Sequence, residues 1–155
     1  MAAEPILKSE TIARALHAAF CRGAPTQELM HIAATKMRAA GSPYDSVYFY
    51  SVAPGGDLDL SAYEGRPTDP SRISLTVGIR GRALAEKANF NVPDISDVPH
   101  HRPHSSETQS ELVVLIRRHA EILGEIDVEC DCPNGFSRAE QNAVEQVADA
   151  LAALI

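Results

Sequence analysis

Residues 124–130 read Gly-Glu-Ile-Asp-Val-Glu-Cys, and this alternation constrains the chain more than any other feature. Successive side chains of a strand point to opposite faces. Ile126, Val128 and Cys130 therefore share one face, and Glu125, Asp127 and Glu129 share the other. The apolar face must be covered by other elements. The acid face must meet water, a ligand or a metal ion. Glu111 opens the neighbouring apolar run and falls beside these acids if the register allows. Two readings are open. Alternation is what an antiparallel sheet shows when one side is wet, so the acids can simply be solvated. Carboxylates gathered on one sheet face repel one another, however, and a cation or ammonium group would neutralise them.

The other elements follow from spacing. Ile12, Leu16, Ala19 and Phe20 repeat at helical intervals until Gly23 and Pro25. Thr26 is expected to cap a second helix, with Leu29, Met30, Ala33 and Met37 on its apolar stripe and Gly41 and Pro43 at its end. Residues 46–52 (SVYFYSV) and the alternating Leu58, Leu60 and Ala62 predict a hairpin around the turn at 54–57. Short strands are expected at 72–75 and 90–92, with a short helix after Gly78-Ile79-Arg80-Gly81. The clearest strands are 111–117 and 122–130. Ser137-Arg138-Ala139-Glu140 matches a capping box, in which the glutamate reaches back to the cap. Val144, Val147, Ala148, Leu151 and Ile155 carry the last helix onward. The 17 residues from Pro93 to Gln109 have no periodic pattern, a length typical of functional loops.

Helices at both ends and strands between them predict an α+β fold, a central antiparallel sheet with N- and C-terminal helices on one face; the ligand pocket on the other face is what the family resemblance described below implies. We expect a single domain over 1–155, with a helical layer at 5–40 and 137–155 and the sheet and pocket at 44–132. A formal charge of −7 argues against a nucleic-acid partner. The unbroken apolar run 112–116 is five residues and none exceeds the six of 150–155, where a membrane span needs about twenty. Cys21, Cys130 and Cys132 read as reduced thiols, and with no basic, apolar leader at the start the expected location is the cytoplasm.

Several segments in order resemble a GAF domain: Glu64-Gly65-Arg66-Pro67, Arg72-Ile73, Val77-Gly78-Ile79-Arg80-Gly81, Val92-Pro93-Asp94-Ile95, Ser110 to Val114, and Leu123 to Glu129. Within that superfamily the chain is similar to the free methionine-R-sulfoxide reductases, over residues 44–136. The resemblance implies a sheet-face pocket under the long loop, where Glu111, Asp127 and Glu129 bind the ammonium group of a free amino acid. The reductases also carry cysteines at three places that here hold Thr68 or Asp69, Arg80, and His104. Without a thiolate there, sulfoxide reduction has no evident nucleophile.

The expected function is therefore a small-molecule-binding module of sensor or signal-transduction type, its pocket suited to an amine or free amino acid. Glu111, Asp127, Glu129, Tyr50, Arg80 and His104 are its expected ligand-binding residues. The alternative is an enzyme related to those reductases, with replaced or metal-assisted chemistry and His104 as acid or base. Arg80, between two glycines, suits an anion or is simply exposed. Tyr48 and Tyr50 share a strand face and either line the pocket or pack. His100, His101 and His104 form an HHxxH cluster that with the acids could bind metal, or is incidental; no metal or cofactor is assigned. The apolar girth of the last helix, with Ala143, Ala150 and Leu154, and Ile6, Leu7, Ile12 and Leu16 near the start predict a homodimer through the terminal helices.

Overall fold

The alternating strands pair into one antiparallel sheet whose two faces have opposite chemistry. The structure, a computed structural model, describes residues 3–68, 72–73, 78–99 and 105–155. Helices α1 (Ser9–Cys21) and α2 (Thr26–Ala39) lead into strands β1 (Ser46–Val52), β2 (Leu58–Glu64) and β3 (Arg72–Ile73). Helix α3 (Gly78–Glu86) and strand β4 (Phe90–Val92) follow, then a 3-10 turn at Ile95–Asp97, β5 (Ser110–Arg118), β6 (Glu121–Cys130) and α4 (Arg138–Ala152). The strand order is β3-β2-β1-β6-β5-β4. β6 is thus central, flanked by β1 and β5, and its side chains are buried on both faces from Gly124 onward.

Helices α1, α2 and α4 cover one face. Val47 and Phe49 of β1, Leu112, Val114 and Ile116 of β5, and Ile126, Val128 and Cys130 of β6 meet Leu16, Met30, Met37, Val144, Val147 and Leu151 there. The predicted parity of β6 is therefore correct. Helix α3 lies against β5 and β6, and its Ile79 and Ala83 pack with Val113 and Leu115 on the opposite face. That is the acid face, and none of its carboxylates meets water: Glu111, Glu125, Asp127 and Glu129 are 0–1 % exposed. The solvated reading is excluded.

Three expectations about strand parity and helix caps need correction. Leu58, Leu60 and Ala62 do not share a face. A bulge opposite Phe49 and Tyr50 shifts the register, so Ala62 pairs with Phe49 on the helix side while Leu60 and Leu58 pair with Tyr50 and Val52 on the other. One inserted residue reverses parity. Thr26 is not the cap of α2; Pro25, extended at φ −73° and ψ 165°, takes that place without a side-chain cap bond. Glu140 does not reach back within α4. Ser137 Oγ accepts from the Glu140 amide as expected, but the Glu140 carboxylate accepts from the Ile6 amide (2.7 Å), the Leu7 amide (3.4 Å) and the Tyr44 hydroxyl (2.7 Å). Three donors from remote segments outcompete one local amide.

Cys130 and Cys132 are joined as a disulfide, against the expectation of free thiols. The chain turns as soon as β6 ends, which brings their Cα atoms to 5.3 Å, closer than the roughly 6.6 Å of a continuing strand. Cys21 is free and exposed. Phe20, expected on the inner stripe of α1, is 46 % exposed because Ala19 takes the inward place in the last turn. The expected strand at 72–75 is β3 over its first two residues, and its remainder lies outside the described residues. No helix among the described residues is long and apolar enough to cross a membrane.

Candidate functional site

The site is assembled by register. β5 and β6 place Glu111 directly opposite Glu129 and Val113 opposite Asp127. Asp127 and Glu129 alternate with core residues on β6, so both carboxylates point away from the helical layer. One oxygen from each of Glu111, Asp127 and Glu129 lies within 4.8 Å of the others. Like charges directly opposed across strands are unfavourable, and low exposure removes the water that would screen them.

Arg80 compensates. It stands in the first turn of α3, and its side chain is only 9 % exposed. A single nitrogen, Nη1, serves all three acids. It donates to Asp127 Oδ2 at 2.9 Å and Glu111 Oε1 at 3.3 Å. It stands 3.6 Å from Glu129 Oε2, an ion-pair distance. Glu129 also accepts from the Thr108 hydroxyl at 2.7 Å. The Nη1 nitrogen thus fills the place where any small cation held by this triad would sit. The exposed-arginine reading does not describe this arrangement, and the anions that Arg80 holds are the chain's own carboxylates.

Burial, the nearby Asp127 charge and a hydrogen bond with Asp127 hold the Glu111 carboxyl well above its ordinary range, with Arg80 opposing. Glu111 therefore keeps a proton more readily than a free carboxylate. Burial, again reinforced by Asp127, pushes Glu125 up as well. Glu125 faces the same side one alternation before Asp127. It pairs across strands with Tyr50 and Leu115, and neither of its oxygens has a hydrogen-bond partner among the described residues.

Tyr50 lies fully buried on this face with Tyr48, Leu58 and Leu84. Burial and then Asp127 raise its phenol, so it stays neutral. The pairing Tyr50–Glu125 makes it a wall beside the acids. Tyr48 both packs, stacked on Tyr63, and donates its hydroxyl to the Arg66 carbonyl at 2.7 Å. Arg66 in turn grips Asp131 with both terminal nitrogens, at 2.6 and 2.5 Å, and Glu107 at 2.7 Å. This ties the segment after β2 to the end of β6. His100, His101 and His104 lie outside the described residues.

Glu111, Asp127, Glu129, Arg80 and Tyr50 thus come together. Glu125, Thr108 and Arg66 also belong to this region, and the sequence reading did not select them as ligand residues. Glu125 was legible from the same alternation that marked Asp127. Thr108 and Arg66 had no periodic signal.

Comparison with known proteins agrees with this architecture. Residues 25–155 match the GAF domain family, and the chain belongs to it. GAF domain-containing protein A of Dictyostelium discoideum is 31 % identical over 101 residues, 65 % of this chain and 63 % of that protein. The free methionine-R-sulfoxide reductase of Saccharomyces cerevisiae is 28 % identical over 116 residues, 74 % of this chain and 64 % of that one. The chain therefore spans a little under two thirds of the length of these relatives. Among solved structures, the type II free methionine-R-sulfoxide reductase of Thermoplasma acidophilum superposes with a TM-score of 0.79 at 31 % identity, over 83 % of this chain and 91 % of that one. The fold is GAF-like, and free methionine-R-sulfoxide reductases are among its relatives and structural neighbours.

Proposed function

We propose that this GAF module binds a small molecule through a primary ammonium group, an amine or a free amino acid, at Glu111, Asp127 and Glu129, with Tyr50 as a wall, and acts as a sensor. The observation that carries the reading is the cation already held there: one nitrogen, bonded to two buried carboxylates and within ion-pair reach of a third. Charge-assisted hydrogen bonds of this kind contribute about 1.5–3 kcal/mol each. Calorimetry and thermal shift against a panel of amino acids and amines test it. The expected result is binding that Asp127→Asn and Glu111→Gln abolish. Binding unchanged in both variants sinks the assignment. His104 is proposed as a further ligand contact, and the same panel with His104→Ala tests it. The cytoplasm is the proposed location, checked by cell fractionation.

A second reading is favoured by the likeness to methionine-R-sulfoxide reductases, namely an enzyme of that branch with altered chemistry. Two of the three positions where those reductases carry thiols fall at Thr68 or Asp69 and at Arg80, and Arg80 is committed to the acids. Cys130 faces the helical layer. A Cys-free triple variant assayed on methionine sulfoxide, with metal analysis of the purified protein, separates the readings. Reductase activity that survives in that variant, or stoichiometric metal that disappears with His104→Ala, supports the enzyme with altered chemistry, whereas activity lost specifically in that variant would make these thiols catalytic after all.

We also propose a homodimer formed through the terminal helices. Ile6 and Phe20 expose 43 % and 46 % of their surface. A hollow of about 270 Å³ lies beside Ile6, Ile12, Ala39 and Ala40. Both features are on the helical layer, away from the acids.

A further inference from the structure

Resting on the ammonium reading above, we propose that Arg80 and Glu125 form a two-position latch: an incoming primary ammonium displaces the Arg80 guanidinium from Glu111, Asp127 and Glu129, and Glu125 receives it. Glu125 thereby decides whether the site can open to a ligand.

The resting arrangement is a poor match in donor count. Nη1 of a guanidinium carries two hydrogens, whereas an ammonium carries three. Here Nη1 spends its two on Asp127 and Glu111, and Glu129 is left at 3.6 Å with an ion-pair contact from it. An ammonium nitrogen at the same point can donate to all three acids. At that one nitrogen position the ligand therefore offers one donor more than Nη1 does, a differential interaction of the kind a displacer needs.

Displacement also needs somewhere for Arg80 to go. A guanidinium expelled into an apolar interior without a partner is strongly unfavourable. Glu125 is buried, faces the same side as the triad, and has both oxygens unpartnered among the described residues. Two residues along one strand face separate it from Asp127 by roughly 6.5 Å, a span that rotation of the long arginine side chain covers. A carboxylate and a guanidinium match as a two-pronged pair. The cross-strand neighbours of Glu125 are Tyr50 and Leu115, and α3, which carries Arg80, lies against β5 and β6.

The exchange carries a proton. At rest burial and then Asp127 raise the Glu125 carboxyl and so favour its neutral form, with Arg80 opposing from α3. Of the other titratable groups on this face, Tyr50 on β1 is neutral, and Glu111 on β5 shares a hydrogen bond with Asp127. When the guanidinium moves onto Glu125, the charged form becomes the favoured one and its proton leaves to solvent. Ligand uptake is then coupled to release of about one proton from Glu125.

The test uses methylammonium as probe, with the full chain, by isothermal titration near pH 6 in two buffers of different ionisation enthalpy. Infrared spectra of the same samples follow the band of the buried protonated carboxyl. Wild type is expected to bind and to lose that band. Glu125→Gln, close in shape and always neutral, is expected to bind about tenfold more weakly and to release about one proton fewer. Arg80→Gln is expected to bind more tightly than wild type. Arg80→Lys supplies a tethered ammonium with three donors, and is expected to bind more weakly than wild type. It also serves if Arg80→Gln does not fold. Equal affinity and equal proton release in wild type and Glu125→Gln overturn the latch. So does binding by Arg80→Gln with none by wild type, which would make Arg80 a fixed plug while the ammonium site survives. Failure of both wild type and Arg80→Gln to bind defeats the ammonium reading itself.

Discussion

Arg80 Nη1 lies 2.9 Å from Asp127 Oδ2, a bond from the first turn of α3 to the middle of the sheet. It is the nearest of three carboxylates gathered around that nitrogen. Removing one partner of a buried ion pair leaves the other charge uncompensated, at a cost of about 3–5 kcal/mol. Arg80→Ala should therefore destabilise the fold by that order near pH 8, and by clearly less near pH 5, where the acids can take up protons instead. Urea denaturation at the two pH values checks it. An equal loss at both would mean that Arg80 stabilises through packing alone.

Glu125 predicts the opposite trend. Its carboxyl is raised in the folded protein, against about 4.3 in an unfolded chain. Between those two values the native state holds a proton that the unfolded state has lost. Stability therefore falls as pH rises through that window, by up to about 1.4 kcal/mol per pH unit. Glu111 acts in the same sense. Glu125→Gln removes only its own share. The variant should gain on wild type progressively as pH rises above the ordinary carboxylate range, measured as the difference between paired denaturation curves. Parallel curves would show that Glu125 is not the titrating group.

Glu140 connects the two ends of the chain. Its carboxylate takes the Ile6 and Leu7 amides and the Tyr44 hydroxyl. Hydrogen bonds to a charged group contribute about 1.5–3 kcal/mol each. Glu140→Ala should cost roughly 2–4 kcal/mol, and the Ile6 and Leu7 amides should exchange with deuterium much faster than in wild type. Unchanged protection at those two amides would contradict the assigned contacts.

Gly124 precedes the acid run where β6 crosses β1. A Cβ built there would fall on the Tyr50 carbonyl oxygen. Backbone cannot swing aside as a side-chain tip can. Gly124→Ala should cost about 1–3 kcal/mol and weaken methylammonium binding, because the strain enters at the Tyr50–Glu125 pair. A variant of wild-type stability would show that the β1–β6 ladder gives freely.

What the sequence revealed and what it hid divide along one line. Period-two and period-3.6 patterns are local, and they located β1, β5, β6, α1, α2 and α4. They also put Glu125, Asp127 and Glu129 on one face. Parity cannot anticipate an inserted residue, so Leu58 and Ala62 were placed together although a bulge parts them. Nor can it see partners across the fold. Glu140 looked like half of a local capping box, and three donors from 96 to 134 residues away claim it. Arg80 was legible as a basic residue at a helix start. Its ion pairs with Glu111, Asp127 and Glu129, far onward in the chain, required the sheet register. The carboxylate cluster also looked solvated because nothing local shows α3 packed over β5 and β6.

The proposed homodimer makes the last prediction. The outward face of α4 carries Asn142, Gln146 and Asp149, while Ala143 and Val147 are consumed in the core. Pairing through α4 alone would thus bury polar groups without partners. The exposed apolar groups lie instead around α1, at Ile6 and Phe20, near the hollow that Ile12, Ala39 and Ala40 line. Phe20→Glu places a charge on this surface without opening the core, because the side chain already stands 46 % exposed. Sedimentation at micromolar concentration should show a dimer for wild type and a monomer for Phe20→Glu, with far-ultraviolet circular dichroism unchanged. A wild-type monomer, or a dimer indifferent to this substitution, would remove α1 from the interface.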